Sequence, residues 1–133
     1  MKKLFSVFAV LIMLFSVMAC AGHYIRWTEQ PEQVIEEFNQ VLPRRVDPVT
    51  TLKKVTRNGS ALTYHYVVDI EASEIPKNQW QRTLEERAVS ACDNGNKKYF
   101  NVVFGVFDCI FYDYRDKEGD MLALARIDKN TCN

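Results

Sequence analysis

Cysteine, histidine and carboxylate side chains are the groups on which chemistry could be built, and the chain holds Cys20, Cys92, Cys109, Cys132, His23 and His65 among its 133 residues. Acyl transfer by a hydroxyl or thiol needs an imidazole base beside the nucleophile and an acid to orient it. His23 lies in a polar stretch near the N-terminus. His65 alternates with apolar residues along a strand-like run and reads as a solvated strand position rather than a base. The acidic residues Asp113, Asp116, Glu118 and Asp120 could offer oxygens to a hard cation, but they lack the Asp-x-Asp-x-Asp-Gly order, and a charged turn beside Gly119 accounts for them. Asp108 and Asp113 are expected as exposed strand positions or as ion-pair partners of Arg126. Spacings of 17 and 23 residues between the last three cysteines do not make a zinc site. Five glycines, none in a GxGxxG or GxxxxGK arrangement, leave no cradle for a phosphate. The expectation is a protein that is not an enzyme and takes no metal, nucleotide or small-molecule substrate.

Cys20 is the cysteine with a chemical context. Lys2 and Lys3 precede an apolar run from Leu4 to Met18, broken only by Ser6 and Ser16, and the run ends in Ala19-Cys20-Ala21-Gly22. Short positive, apolar and small-residue regions in that order form a secretory signal peptide. Val17-Met18-Ala19-Cys20 resembles the bacterial lipobox, in which the cysteine thiol takes a diacylglycerol after residues 1–19 are removed. Two other readings stand beside it: cleavage after Ala21, and an uncleaved anchor, since residues 4–22 are uncharged. The lipobox alone explains a cysteine at the end of the run. Ala21, in place of Asp, resembles the pattern of lipoproteins sent on to the outer membrane.

Export changes what the composition means. The chain has 17 basic and 17 acidic side chains, and removing residues 1–19 leaves 114 residues with two more acids than bases. That balance gives no basic surface with which to neutralise phosphates, so nucleic acid is excluded as a partner. Cys92, Cys109 and Cys132 then form an odd set in an oxidising compartment, where one disulfide and one thiol is the simplest assignment. Three pairings are possible. Cys92–Cys132 is favoured because it staples the polar tail, closing a loop of about 40 residues for roughly 3–4 kcal/mol in the chain-entropy model. Cys109, inside the strand-like run Val106–Tyr114, is expected as core.

The elements that position these residues are legible from periodicity. Residues 20–30 form a tether, and residues 31–133 a single α+β domain. Pro31 opens a helix with Val34, Ile35, Phe38, Val41 and Leu42 on one face, and Pro43 stops it. Residues 50–57 and 60–70 alternate with period two around Asn58-Gly59, predicting a hairpin with a type I′ turn. A second helix runs from about Pro76 to Cys92, with Trp80, Leu84, Ala88 and Ala91 along one side. Residues 97–104 fit either a short helix or the start of a strand. Residues 106–115 and 120–128 form a second hairpin about Gly119. Tyr64, Tyr66, Phe107, Phe111, Tyr112 and Tyr114 are expected to pack the sheet. The order α-β-β-α-β-β predicts a four-stranded antiparallel sheet with helices on one face.

An export signal ending at a cysteine, a helix ending in Leu42-Pro43, an Asn-Gly hairpin, a helix ending in Cys92-Asp93, then Gly105, a strand pair about Gly119 and the closing Ile127-Asp128-Lys129-Asn130-Thr131-Cys132 together resemble the AspS-type, or beta-class, pilotins of type II secretion. The resemblance spans nearly the whole exported chain. It implies an acylated Cys20, a disulfide between Cys92 and Cys132, and a small antiparallel sheet packed by helices. It also implies a role as escort: the domain would bind a short C-terminal segment of a secretin subunit while the lipid routes the complex to the outer membrane, facing the periplasm. An apolar groove for that segment needs exposed apolar positions between helices, for which Trp80, Leu84, Val89, Phe100 and Phe104 are the candidates. The alternative role is that of a periplasm-facing lipoprotein inhibitor, immunity or exclusion factor that acts on an exported enzyme or similar partner by protein binding, without catalysis.

Overall fold

The computed structural model describes residues 30–91 and 98–131 in full, with the backbone alone at 92, 93 and 97. Helix α1 spans Pro31–Gln40, with proline at a position whose N–H would be unpaired in any case and Glu32 in the first turn, where the helix dipole favours a negative charge. It buries Val34, Ile35 and Phe38. Val41, expected on the same face, is 57% exposed because the helix ends before it. The Leu42–Pro43 peptide that follows is cis.

Four strands follow the expected alternation, and a fifth is not predicted by it. The unexpected strand is β1, Arg44–Asp47, four residues long with two exposed arginines. Such a segment carries almost no periodic signal, and its shortness and charge suit the edge it occupies. It pairs antiparallel with β2, Thr50–Asn58, which in turn pairs antiparallel with β3, Ala61–Val68. The turn between them also differs from the expectation. Asn58 pairs with Ala61 inside the ladder, so Gly59 and Ser60 form the loop, and Gly59 alone has a positive φ, of 60°. Glycine with positive φ at the first loop position is the type II′ pattern, where type I′ would need two such residues.

After β3 the chain crosses above the sheet through a 3₁₀ turn at Lys77–Gln79, helix α2 at Trp80–Asp93 and helix α3 at Lys97–Phe104. It re-enters as β4, Cys109–Asp116, which lies parallel to β3, and closes with β5, Met121–Ile127, antiparallel to β4. The sheet is therefore five-stranded and mixed, in the order β1-β2-β3-β4-β5, and the four-stranded antiparallel sheet is corrected. Hairpins are antiparallel by construction, but the two hairpins here are joined by a helical crossover, the connection that parallel neighbours require.

The parallel register lays Tyr64 beside Tyr112 and Tyr66 beside Tyr114 on the buried face. Their rings stack at centroid distances of 5.6 and 4.5 Å, and Trp80 of α2 covers Tyr114 at 5.9 Å. Burial pushes the phenol pKa of all four tyrosines up, so they stay neutral. On β5 the same face carries Ala123 and Ala125. The facing helix α2 buries Ala88 and Ala91, and small side chains on both elements suit a helix that packs against the outermost strand. Cys109 is buried with a free thiol, as expected of a core position.

Candidate partner-binding groove

Because α2 runs along β5, one side of the helix and the outer strand enclose a groove. Gln81, Glu85, Ala88 and Val89 are spaced at i, i+4, i+7 and i+8 on α2 and so share a stripe that faces the strand. Glu85, Ala88 and Val89 on the helix, Leu124, Ala125, Arg126 and Ile127 on β5, and Thr131 beyond it line a space of about 370 Å³. Among the described residues only four large apolar side chains are exposed, and two of them line this groove, Val89 at 48% from the helix and Leu124 at 37% from the edge of β5. Its rim is fixed by Arg126, which donates to Asp128 Oδ2 at 2.7 Å. Asp128 Oδ1 also accepts the backbone N–H groups of Asn130 (2.9 Å) and Thr131 (3.0 Å). These backbone donors, the one from Thr131 foremost, together with Arg126, hold the Asp128 carboxyl below the usual aspartate range.

A second relationship shapes the groove floor. The Gln81 side-chain amide donates to the Leu124 carbonyl at 2.9 Å, and its oxygen accepts the Leu124 N–H at 2.9 Å. One carboxamide thus meets both backbone groups of a single residue on the free side of β5. The same amide donates to Glu85 Oε1 at 2.6 Å, which holds Glu85 along the groove.

Of the five side chains expected to bind a partner, only Val89 faces this groove. Trp80, Leu84 and Phe100 are 1%, 2% and 5% exposed and belong to the core, where they pack the tyrosine face and the sheet. Phe104 is half-buried against the same core, with its ring 6.0 Å from that of Phe100. Leu124 and Gln81 were not singled out from sequence. A signal for Leu124 exists: in Met121-Leu122-Ala123-Leu124-Ala125-Arg126-Ile127 the inner face is already filled by Ala123, Ala125 and Ile127, which leaves Leu124 as an apolar residue pointing outward. Cys20, Cys132, the Cys92 side chain and the tether up to residue 29 lie outside the described residues.

The open face of the sheet carries a polar relay. Thr56 Oγ1 and His65 Nε2 are 2.7 Å apart, His65 Nδ1 lies 3.7 Å from Asp113 Oδ2, and Arg115 Nε donates to Asp113 Oδ1 at 3.1 Å. Hydroxyl, imidazole and carboxylate stand in the order used for nucleophilic catalysis. They lie on a flat strand surface, however, and both the groove and a smaller acidic hollow of about 130 Å³ at Asp69, Ile70, Glu71, Asp116, Lys117 and Glu118 are elsewhere. The relay ties β2, β3 and β4 together. Arg126, expected to pair with Asp108 or Asp113, pairs with Asp128 instead, and Arg115 takes Asp113. In the acidic turn, Asp116 Oδ1 accepts the N–H groups of Glu118 and Asp120 at 3.0 and 2.9 Å, so it builds the turn. No grouping of three or more metal-ligating side chains occurs among the described residues. None of their helices is long and apolar enough to cross a membrane.

No protein-family model matches the chain, and no curated protein sequence matches it. Solved structures do. The pilotin EpsS of the Vibrio vulnificus type 2 secretion system superposes with a TM-score of 0.59 at 12% identity, over 76% of this chain and 86% of that one. The type II secretion pilotin AspS of Vibrio cholerae superposes at 0.57 and 19% identity, over 86% of this chain and 99% of that one. This chain has the pilotin-type fold. A Pseudomonas aeruginosa protein known from a crystal structure shares that fold at a TM-score of 0.64 and 17% identity, over 82% of this chain and 95% of its own. Among the described residues of this fold, the α2–β5 groove is lined by two of the four exposed large apolar side chains.

Proposed function

We propose that the chain is a lipid-anchored pilotin: exported, freed of residues 1–19, acylated at Cys20, and held at the outer membrane with the domain facing the periplasm. Several acyl chains on one cysteine give lasting attachment where a single chain would not. The α2–β5 groove takes a C-terminal segment of a secretin subunit, and the lipid carries the pair to the membrane where the secretin ring assembles. The observation that carries this reading is the groove between α2 and β5, lined by the exposed Val89 and Leu124, in a fold shared with two pilotins. Buried hydrophobic contacts at the centre of an interface supply most of its affinity, so these two positions should dominate.

The test is capture of the secretin from detergent-solubilised envelopes by the wild-type chain and by Val89→Asp and Leu124→Asp. The wild type is expected to bring down secretin, and each variant to lose it while keeping wild-type thermal unfolding. Undiminished capture by both folded variants would remove the groove from the reading. The anchor is read separately from the intact mass of the membrane-extracted chain: an N-terminus at Cys20 plus acyl mass supports it, and a start at Gly22 excludes it.

A further inference from the structure

On each side of this sheet a carboxamide that copies a peptide group caps one strand residue left without a neighbouring strand. On β2, beyond the reach of the four-residue β1, Asn39 of α1 bonds both the N–H and the C=O of Val55 at 2.8 Å. On β5, Gln81 of α2 does the same at Leu124. An edge strand is a template for any chain that offers N–H and C=O groups at strand spacing. In an antiparallel ladder every second residue points its backbone groups away from the paired neighbour, so on β5 Leu124 and Arg126 are the outward residues. Gln81 fills the first of these, beside the groove.

We propose that Gln81 sets the specificity of the groove. By occupying the Leu124 backbone it rejects an extended strand, including β5 of a second copy, and leaves the groove to a partner whose backbone is satisfied internally, an amphipathic helix that sets an apolar side chain on Val89 and polar ones beside Glu85 and Arg126. This rests on the proposed function only for what enters the groove; closure of the edge by Gln81 stands on its own. A strand arriving at β5 would have to displace two hydrogen bonds and expose the Glu85 carboxylate that Gln81 also holds. A helix has no use for the Leu124 backbone and meets the groove through side chains, the exposed Val89 above all. The exposure of Leu124 makes the guard necessary, because an apolar, unguarded edge strand pairs with itself.

The experiment compares the full chain, purified in detergent, with Gln81→Leu, which keeps size and helix propensity but cannot bond. Amide exchange at Leu124 is expected to quicken roughly tenfold or more, while Tyr64 and Tyr112 amides stay protected and report an intact fold. The variant should also self-associate with rising concentration. Adding Arg126→Pro removes an outward N–H without touching the ladder to β4 and should restore the monomer. Unchanged Leu124 exchange, or a monomer at every concentration, overturns the inference; so does association that Arg126→Pro leaves intact. Secretin capture is scored apart from these readouts: its absence in the wild type sinks the pilotin reading and leaves edge closure untouched.

Discussion

Asn39 and Val55 are joined by two hydrogen bonds of 2.8 Å that run in opposite directions, one from the Asn39 amide to the Val55 carbonyl and one from the Val55 N–H to the Asn39 oxygen. The pair fastens the last turn of α1 to the side of β2 that β1 is too short to cover. Both bonds are partly buried, so breaking them leaves strand groups that water reaches only in part.

Replacing Asn39 with Ala should therefore cost about 1–3 kcal/mol of unfolding free energy, from two lost bonds of modest net value and an edge left open. Denaturant unfolding gives the magnitude, and amide exchange at Val55 locates it. A loss spread evenly over all amides, with Val55 no faster than its neighbours, would count against the assignment.

Trp80 and Val89 sit nine residues apart on one helix and should behave in opposite ways. Trp80 is buried on Tyr114, and Trp80→Ala should cost about 3–5 kcal/mol, enough to threaten folding of a domain this small. Val89→Asp alters an exposed side chain and should shift stability by no more than about 0.5 kcal/mol. Thermal unfolding of both variants decides this: comparable losses would mean that Val89 is also packed.

The sequence made the strands and helices of this domain legible because each buries one face, and a buried face imposes its period on the residue types. Leu62, Tyr64, Tyr66 and Val68 alternate for that reason, and Trp80, Leu84, Ala88 and Ala91 recur at helical spacing. Pairing between hairpins has no such signature. Placing β4 parallel to β3 puts Asp113 directly beside His65, a neighbour that no local pattern specifies. The groove was half legible for the same reason. Helical spacing marked Trp80 and Leu84 as apolar, yet the stripe that lines the groove is the one with Glu85 and Val89, and only the tertiary arrangement says which strand ends the sheet. Gln81 and Leu124, 43 residues apart, become neighbours through that arrangement alone.

The proposed Cys92–Cys132 link predicts a tail that is tied to α2. Cys132→Ser should lower stability by about 3–4 kcal/mol in the loop-closure picture, and reduction of the wild type should do the same. Peptide mapping without reductant gives the direct answer. Recovery of Cys109 joined to either partner would contradict both the pairing and the buried free thiol.

His65 gives the relay a pH dependence whose sign is fixed by its surroundings. Burial, the largest influence, disfavours the charged imidazole and lowers its pKa from the ordinary 6.5; Asp113 opposes this, while Lys54 and Arg115 reinforce it. The folded chain therefore takes up a proton on His65 less readily than the unfolded chain does. Above about pH 7.5 the imidazole is neutral in both states and contributes no pH dependence. As pH falls through the unfolded value toward the lower folded one, the unfolded state gains protons first and stability declines. His65→Gln removes the titration and keeps a polar group within reach of Thr56. Unfolding free energies of the two proteins should therefore differ by a constant above about pH 7.5, and the wild type should lose ground to the variant between about pH 7 and 5. Titrating groups that do not interact with His65 are common to both and cancel in the difference. A difference that stays constant through the acid range would mean that the imidazole has the same proton affinity folded and unfolded, and a wild type that gains ground would mean that Asp113 outweighs burial.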